Sequence, residues 1–291
     1  MRDRSTGYRV FSAFNICLML FVLFLCLYPF VYMLAISFSS AKAVINGWVS
    51  FYPKEFTLET YKLITSNAQF RIGYANTIFY TVGGTAIAMG LMCLMAYPLS
   101  KAFLRGRGIL MKMVIFSMFF SGGMIPNLML VIWLHLNNTV WAMLLPFAIN
   151  QFNLIILINF FKSLPDSIEE AAVIDGMGYF GILWRIVLPL STPALATIAL
   201  YTAVFFWNDW FYSLIYMNSN ERYSVMVYLR NIVSGQSMAG AAAGSGSSER
   251  MTVYATLRAS SIILTSLPII ILYPFLQRFF VKGLTIGSVK G

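Results

Sequence analysis

A chain of 291 residues that is 59% hydrophobic and 10% charged, with a mean hydropathy of +0.76, lies outside the range of soluble domains, which are about 45–50% apolar and about 25% charged. Its net charge of +10 does not mark nucleic-acid binding, because the 20 basic residues are spread between apolar runs rather than gathered on one soluble face. What remains is an integral membrane protein of the all-α class, since Leu18 to Leu27 is apolar at every position where a lipid-spanning barrel would alternate.

A spanning helix needs roughly 20 apolar residues, and six such runs are separated by polar breaks. The first, 11–36, follows Arg2, Arg4 and Arg9 but is too long for the apolar core of a signal peptide, and Tyr28-Pro29-Phe30 is no small-residue cleavage site. An outer loop over 37–72 carries Trp48, Tyr52 and Pro53, then Thr57-Leu58-Glu59-Thr60-Tyr61, which reads as a turn and a short helix start in a lid-like cap. Spans over 73–99 and 110–133 follow. Within the latter, Ser121-Gly122-Gly123-Met124-Ile125-Pro126-Asn127 must interrupt helical hydrogen bonding, which places it inside a bundle where protein or a cavity shields the freed backbone. The short turn His135-Leu136-Asn137-Asn138-Thr139 leads to a span over 139–161, then a polar loop over 162–188 and a span over 189–217. A second outer loop, 218–256, contains a run of glycine, alanine and serine around 236–248 that is too small and polar to order itself. The last span is 259–280. Cys17, Cys26 and Cys93 all fall inside spans and read as small apolar residues.

With both termini inside, the inner segments hold Arg2, Arg4, Arg9, Lys101, Arg105, Arg107, Lys112, Lys162, Arg185, Arg278, Lys282 and Lys290. Short loops rich in Lys and Arg stay in the cytoplasm, so six spans put 162–188 there too. That loop holds Asp166, Glu169, Glu170 and Asp175 in a chain that otherwise avoids charge, so its surroundings are polar. Ser163-Leu164-Pro165-Asp166 has the pattern of a helix start: a hydroxyl cap, proline in the first turn and an acid three residues on, placing the helix from about Leu164. Ile168, Ala171, Ala172 and Val173 give that helix a small apolar face, and the acids occupy the end where the helix dipole favours them. Gly176 and Gly178 then allow a turn into a second helix through Phe180, Leu183, Trp184 and Val187, closed by Leu188-Pro189.

Glu170-Ala171-Ala172, then Gly176 after three residues, Ile186 after nine more, and Leu188-Pro189 resemble the cytoplasmic signature of permease subunits of binding-protein-dependent ABC importers. The spacing agrees throughout, and the six-span layout extends the likeness to the whole chain. Ser163-Leu164-Pro165, Asp175-Gly176, Trp207-Asn208-Asp209 and Val281-Lys282-Gly283-Leu284-Thr285 resemble the carbohydrate branch, similar to its smaller maltose-permease-type subunit. Phe120 to Pro126 further resembles subunits assigned to oligosaccharides cut from complex polysaccharides, alginate-like ones included. The resemblance implies a coupling loop in which Glu169, Glu170, Ala171, Ala172, Asp175, Gly176, Ile186, Leu188 and Pro189 dock on a separate ATPase subunit. It implies as partners a homologous larger permease subunit, two ATPase subunits, an extracytoplasmic solute-binding protein, membrane lipid and an oligosaccharide. ATP and Mg would then sit on the ATPase subunits, with no cofactor on this chain.

Other readings compete locally. The loop could be an ordinary amphipathic connector. Trp207, Asn208, Asp209 and Trp210 could stack on and hydrogen-bond a sugar, or Asp209 could be the coupling acid of an ion-driven secondary transporter, because an ionisable group at membrane depth is costly. Equally, Asn208 and Asp209 could bond neighbouring helices. Asn76, Asn127, Asn150, Asn153 and Asn159 read as interhelical glue rather than ligands. His135 is the single histidine, so no His-based metal cluster or charge-relay pair assembles from this sequence, and no G-x-x-x-x-G-K-[ST] phosphate cradle is present. The chain therefore reads as a non-catalytic subunit that draws its energy from a partner.

Overall fold

The computed structural model describes the backbone of residues 6–234 and 247–287, and side chains for 7–234 and 254–274. The small-residue segment expected around 236–248 falls almost wholly outside the described residues. Helices account for all regular structure among the described residues: α1 (Thr6–Ser37), α2 (Ala41–Ile45), α3 (Glu59–Ser66), α4 (Ala68–Ser100), α5 (Arg107–Phe119), α6 (Met124–Trp133), α7 (Val140–Leu144) and α8 (Gln151–Lys162). The chain continues through α9 (Asp166–Ile174), α10 (Tyr179–Ile182), a π-helical turn at Leu183–Val187, α11 (Leu188–Leu190), α12 (Thr192–Asn208), α13 (Phe211–Tyr216), α14 (Val225–Val233) and α15 (Ser247–Gly287).

The protein is an all-α membrane protein, but not a set of six straight rods. Gly7–Ser37, Ala68–Ser100 and Tyr254–Pro274 are each long and apolar enough to cross a bilayer, and two further candidates are bent pairs. One is α5 with α6, which meet at 114°. There Gly123 takes φ +84°, a backbone that side-chain-bearing residues avoid, and Phe120 is extended. The expected interior position is not found: residues 119–127 lie on the surface of this chain, because α6 swings away at the glycine. The other pair, Tyr179–Leu190 with Thr192–Asn208, bends by 84° at Ser191. Pro189 has no N–H to donate back toward Arg185 and its ring crowds that turn, so the helix ahead of it widens into a π turn.

Two predicted runs are shorter than expected. The run 139–161 is divided into α7 and α8 by a non-helical stretch containing Pro146. The run 189–217 ends as a helix at Asn208, because Asp209 is extended (ψ 113°) and turns its carboxylate onto the amides of α13.

The chain forms two compact units, Met1–Asn67 with Leu229–Leu267, and Ala68–Tyr228 with Pro268–Gly291. In the first, the segment between α1 and α4 is tied down by polar contacts. Ser40 Oγ caps α2 by accepting from Ala43 N at 3.1 Å, Lys54 N donates to Ser39 Oγ at 3.0 Å, and Tyr61 Oη donates to Ser37 Oγ at 2.8 Å. Ser260 of α15 donates to Ser37 O at 3.2 Å, beside the small core of Ala35, Ile36, Ala43, Val49 and Ala259.

In the second unit α4 is the central post, packed chiefly against α12 and α8. Its apolar core runs from Ala88, Met92 and Ala96 to Leu154, Leu157, Ile158, Phe161 and Ile198. The helices approach closely where α4 carries Gly84, since a Cβ there would sit 2.5 Å from the buried Phe206 ring of α12. Asn76 does bridge segments, donating to Glu221 O at 2.7 Å and Tyr223 O at 3.1 Å. The Phe206 ring also packs against Phe147 and Phe205, so it cannot shift without disturbing them. Gly84→Ala is therefore expected to cost about 1–3 kcal/mol, as overpacked cores do. The measurement is the thermal unfolding midpoint in detergent; adding Phe206→Leu should recover most of the loss.

Candidate functional site

The polar loop folds into a short helical knuckle at one end of α4. Its start differs from the sequence expectation. Ser163 ends α8 instead of capping α9, donating its hydroxyl to Phe160 O at 2.7 Å, and Pro165 is the residue that precedes α9. A proline steers the residue before it away from helical geometry, so Leu164 belongs to the connection and the helix begins at Asp166. Asp166 and Glu169 then occupy the first turn, where the exposed amides favour negative charge.

The end of α9 is set by Gly176. Gly176 N donates to Val173 O at 3.0 Å and Met177 N to Ala172 O at 2.9 Å, with Gly176 at φ +80°. No atom lies within 4 Å of where its Cβ would be, so the requirement is for backbone conformation and not for space. Gly178, by contrast, has φ −74° and makes no such demand.

The helix has two faces. Inward, Ala172 is 5% exposed and joins the core with Phe161, Ile182, Leu183 and Val187. One turn earlier on the same face, Glu169 accepts from Lys101 Nζ at 2.5 Å and from Tyr97 Oη at 3.2 Å. Both side chains of the ion pair are largely buried, 10% exposed for Lys101 and 14% for Glu169. The ammonium also lies 5.1 Å from the Tyr97 ring centroid. Lys101 directly follows α4, and Arg107 Nε donates to Leu99 O at the same helix end at 2.9 Å. Sequence reasoning placed Glu169 among docking acids; the structure turns it inward onto α4. Spacing on α9 alone carries no signal for a partner 68 residues away, although an isolated Lys at the end of a span is the kind of residue that could have suggested one.

Outward, the same helix presents Glu170, Ala171, Val173, Ile174 and Asp175, with Ile174 86% exposed. Tyr179, Phe180 and Trp184 extend this uncovered apolar surface along the second helix. Ile186 and Leu188 pack partly against the core, and Pro189 is exposed at the π turn that leads to α12. The signature residues thus divide into an inward set that anchors the loop and an outward set open to contact. Ile174 was not singled out from sequence, because an apolar residue beside a helix end looks like core.

The aromatic and acidic cluster on α12 is built differently. Trp207 is buried edge-on to Tyr74, with ring centroids 5.7 Å apart, and Asn208 donates to Val204 O at 3.0 Å within its own helix. Both Asp209 oxygens accept from the start of α13, from Tyr212 N at 3.1 Å and Ser213 N at 3.0 Å. Trp210 packs on Phe211 at 5.5 Å. The geometry of Asp209 is that of a helix cap.

No family model matches the chain. Over 291 residues it is 42% identical to Protein LplC of Bacillus subtilis (strain 168), which covers 100% of this chain and 98% of that protein. It is 43% identical over 277 residues to the polygalacturonan/rhamnogalacturonan transport system permease protein YtcP of the same organism, covering 94% and 96% of the two chains. Among solved structures, a chain from the crystal structure of a bacterial ABC transporter involved in the import of the acidic polysaccharide alginate superposes with a TM-score of 0.88. The identity there is 34%, over 96% of this chain and 100% of that one.

Removing one member of a buried ion pair strands the other charge, at a cost of about 3–5 kcal/mol. Lys101→Met should therefore loosen α9 and speed amide exchange across 171–177, relative to the unsubstituted protein. Lys101→Met combined with Glu169→Met should restore protection, because no unpaired charge then remains.

Proposed function

Because the chain belongs to the permease subunits of ABC importers for sugars and oligosaccharides, we propose that α9 is the piece through which ATP-driven closure of the partner ATPases reaches the membrane helices. The chain is the non-catalytic, membrane-embedded component of such an importer. One observation carries the reading of α9: the helix is held inward by Glu169 and Ala172 while Glu170, Ala171 and Ile174 stand open on the other side. A docking helix needs both properties. Its outer face must meet the partner, and its inner face must be rigid enough to pass a displacement on rather than absorb it.

The inward contacts define where that displacement goes. Glu169 bears on Lys101 and Tyr97 at the end of α4, and Ala172 bears on the core shared by α4, α8 and α12. A push on α9 therefore acts on the central post, and Ile186 to Pro189 carry the loop directly into α12. Gly176 fixes the angle between the two helices of the loop.

The reading extends to topology. Six crossings are made by α1, α4, α5 with α6, α7 with α8, α12 and α15, with both termini and the loop 162–188 in the cytoplasm. The partners are a homologous larger permease subunit, two ATPase subunits and an extracytoplasmic solute-binding protein. The names of the relatives support an oligosaccharide cut from a uronic-acid-bearing polysaccharide as cargo. An ion-driven mechanism through Asp209 finds no support, because its carboxylate is engaged in capping α13.

Two measurements test this reading. Gly176→Val forces a β-branched residue into a left-handed backbone, at about 1–2 kcal/mol or more, whereas Asn tolerates that region. Oligosaccharide uptake by the reconstituted importer should fall at least tenfold for Gly176→Val and stay within about twofold for Gly176→Asn; equal uptake in both would overturn the coupling role. In an otherwise cysteine-free chain, Ala171→Cys or Ile174→Cys should crosslink to a cysteine-bearing ATPase subunit. Cys placed at Ala172, facing the core, should not.

A further inference from the structure

A cavity of about 600 Å³ opens where α7 and α8 are interrupted, and neither the loop nor the Trp207 to Trp210 cluster contributes to it. Its walls come from the non-helical stretch 145–150, the first turn of α8 and the middle of α12, with Ser121 ahead of α6 and Tyr212 of α13. Ligand pockets are typically roughly 300–1,000 Å³, and irregular backbone at membrane depth is tolerated where it lines a cavity.

The lining has a distinctive chemistry. Asn150, Gln151 and Asn153 bring three neutral amides, while Phe147, Tyr201 and Tyr212 supply aromatic rings; among the described residues no Asp, Glu, Lys, Arg or His lines the cavity. Asn150 Oδ1 accepts from Asn153 N at 3.0 Å and so caps α8, which fixes the first turn. The Asn153 side-chain amide makes no hydrogen bond to any described residue, although Asn153 is only 7% exposed and lines the cavity. Its amide atoms keep access to the cavity, so a group arriving there can exchange hydrogen bonds with them. Phe147 and Tyr212 hold each other at 4.4 Å between ring centroids, giving the wall a fixed shape.

We propose that this cavity is a sugar-ring subsite of the transport path, contributed by this subunit, that reads ring hydroxyls and not carboxylates. The proposal rests on the importer reading above. Amides can donate to and accept from hydroxyls, and aromatic faces take the C–H side of a pyranose, whereas a site for a uronate carboxylate would supply a cation. The absence of any charge in the lining also suits passage: a ring held only by neutral hydrogen bonds leaves readily. Asn150 and Asn153 read in sequence as interhelical glue; in the structure one caps its own helix and the other lines the cavity.

The test uses the complete importer in proteoliposomes with its ATPases and binding protein, offered enzymatic digests of polygalacturonan, alginate and starch. For each digest that the unsubstituted assembly takes up, KM and maximal uptake are compared for Gln151→Leu, Asn153→Leu and Tyr201→Leu, using only variants with which the ATPase subunits still co-purify. Uptake reduced about fivefold or more in at least two of them, and equally for an acidic digest and its carboxyl-methylated form, supports the subsite; one neutral hydrogen bond is worth up to about tenfold. Unchanged uptake in Gln151→Leu and Tyr201→Leu, whose side chains are less buried than Asn153, overturns it even if Asn153→Leu fails to assemble. A loss confined to the acidic digest overturns the hydroxyl assignment. If the unsubstituted assembly takes up none of the digests, the oligosaccharide reading falls and the subsite with it, whereas loss of ATPase co-purification belongs to the coupling loop alone.

Discussion

Lys101 and Glu169 stand 68 residues apart in sequence and meet as a largely buried ion pair with Tyr97 alongside. The orientation of the polar loop on the bundle depends on this contact. Taking two charges out of water is costly, and the pair persists because each charge is further satisfied, the carboxylate by the Tyr97 hydroxyl and the ammonium by the Tyr97 ring. Its effect is to give a polar loop a definite orientation on an apolar bundle. Ala172 can then pack against the core at the same time that Glu170 and Ile174 remain outside.

The second constraint is the bilayer's intolerance of unsatisfied backbone. A chain this apolar could form uninterrupted rods, yet it breaks at Gly123, at 145–150, at Ser191 and at Asp209. Each break has a local chemical device. Gly123 uses a positive φ, Asn150 and Asp209 offer side-chain oxygens to the amides of the next helix, and Pro189 widens its own helix into a π turn. The breaks frame the parts with proposed roles: Ser191 lies between the polar loop and α12, and 145–150 forms one wall of the cavity.

Some of this is legible in the sequence and some is not, for reasons that particular residues make plain. The helix-ending role of Gly176 is readable because a glycine after a short polar helix has few other uses, and it adopts the left-handed backbone. Ser163 misleads, because a hydroxyl three residues before an acid also fits the end of the helix before it, and Pro165 decides between the two by shifting the start to Asp166. Asp209 reads as a costly buried acid until the helix is seen to stop there, after which its oxygens face backbone amides. Trp207 to Trp210 look like a sugar site by composition, while the cavity that combines amides with aromatic rings draws on α8 and α12, whose juxtaposition no single stretch of chain encodes.

By itself, the sequence determined the class of molecule, the existence of a polar helical loop and the spacing of its signature, because apolar run length, helix-start chemistry and glycine backbone preference all act within a few residues of one another. Tertiary structure alone decided which face of α9 is anchored, that Glu169 turns inward to Lys101, and that Asn153 opens onto a cavity. Those outcomes depend on which distant helix lies opposite, and that is set by the packing of α4 against α8 and, at Gly84, against α12, a property of the assembled bundle and not of any local pattern.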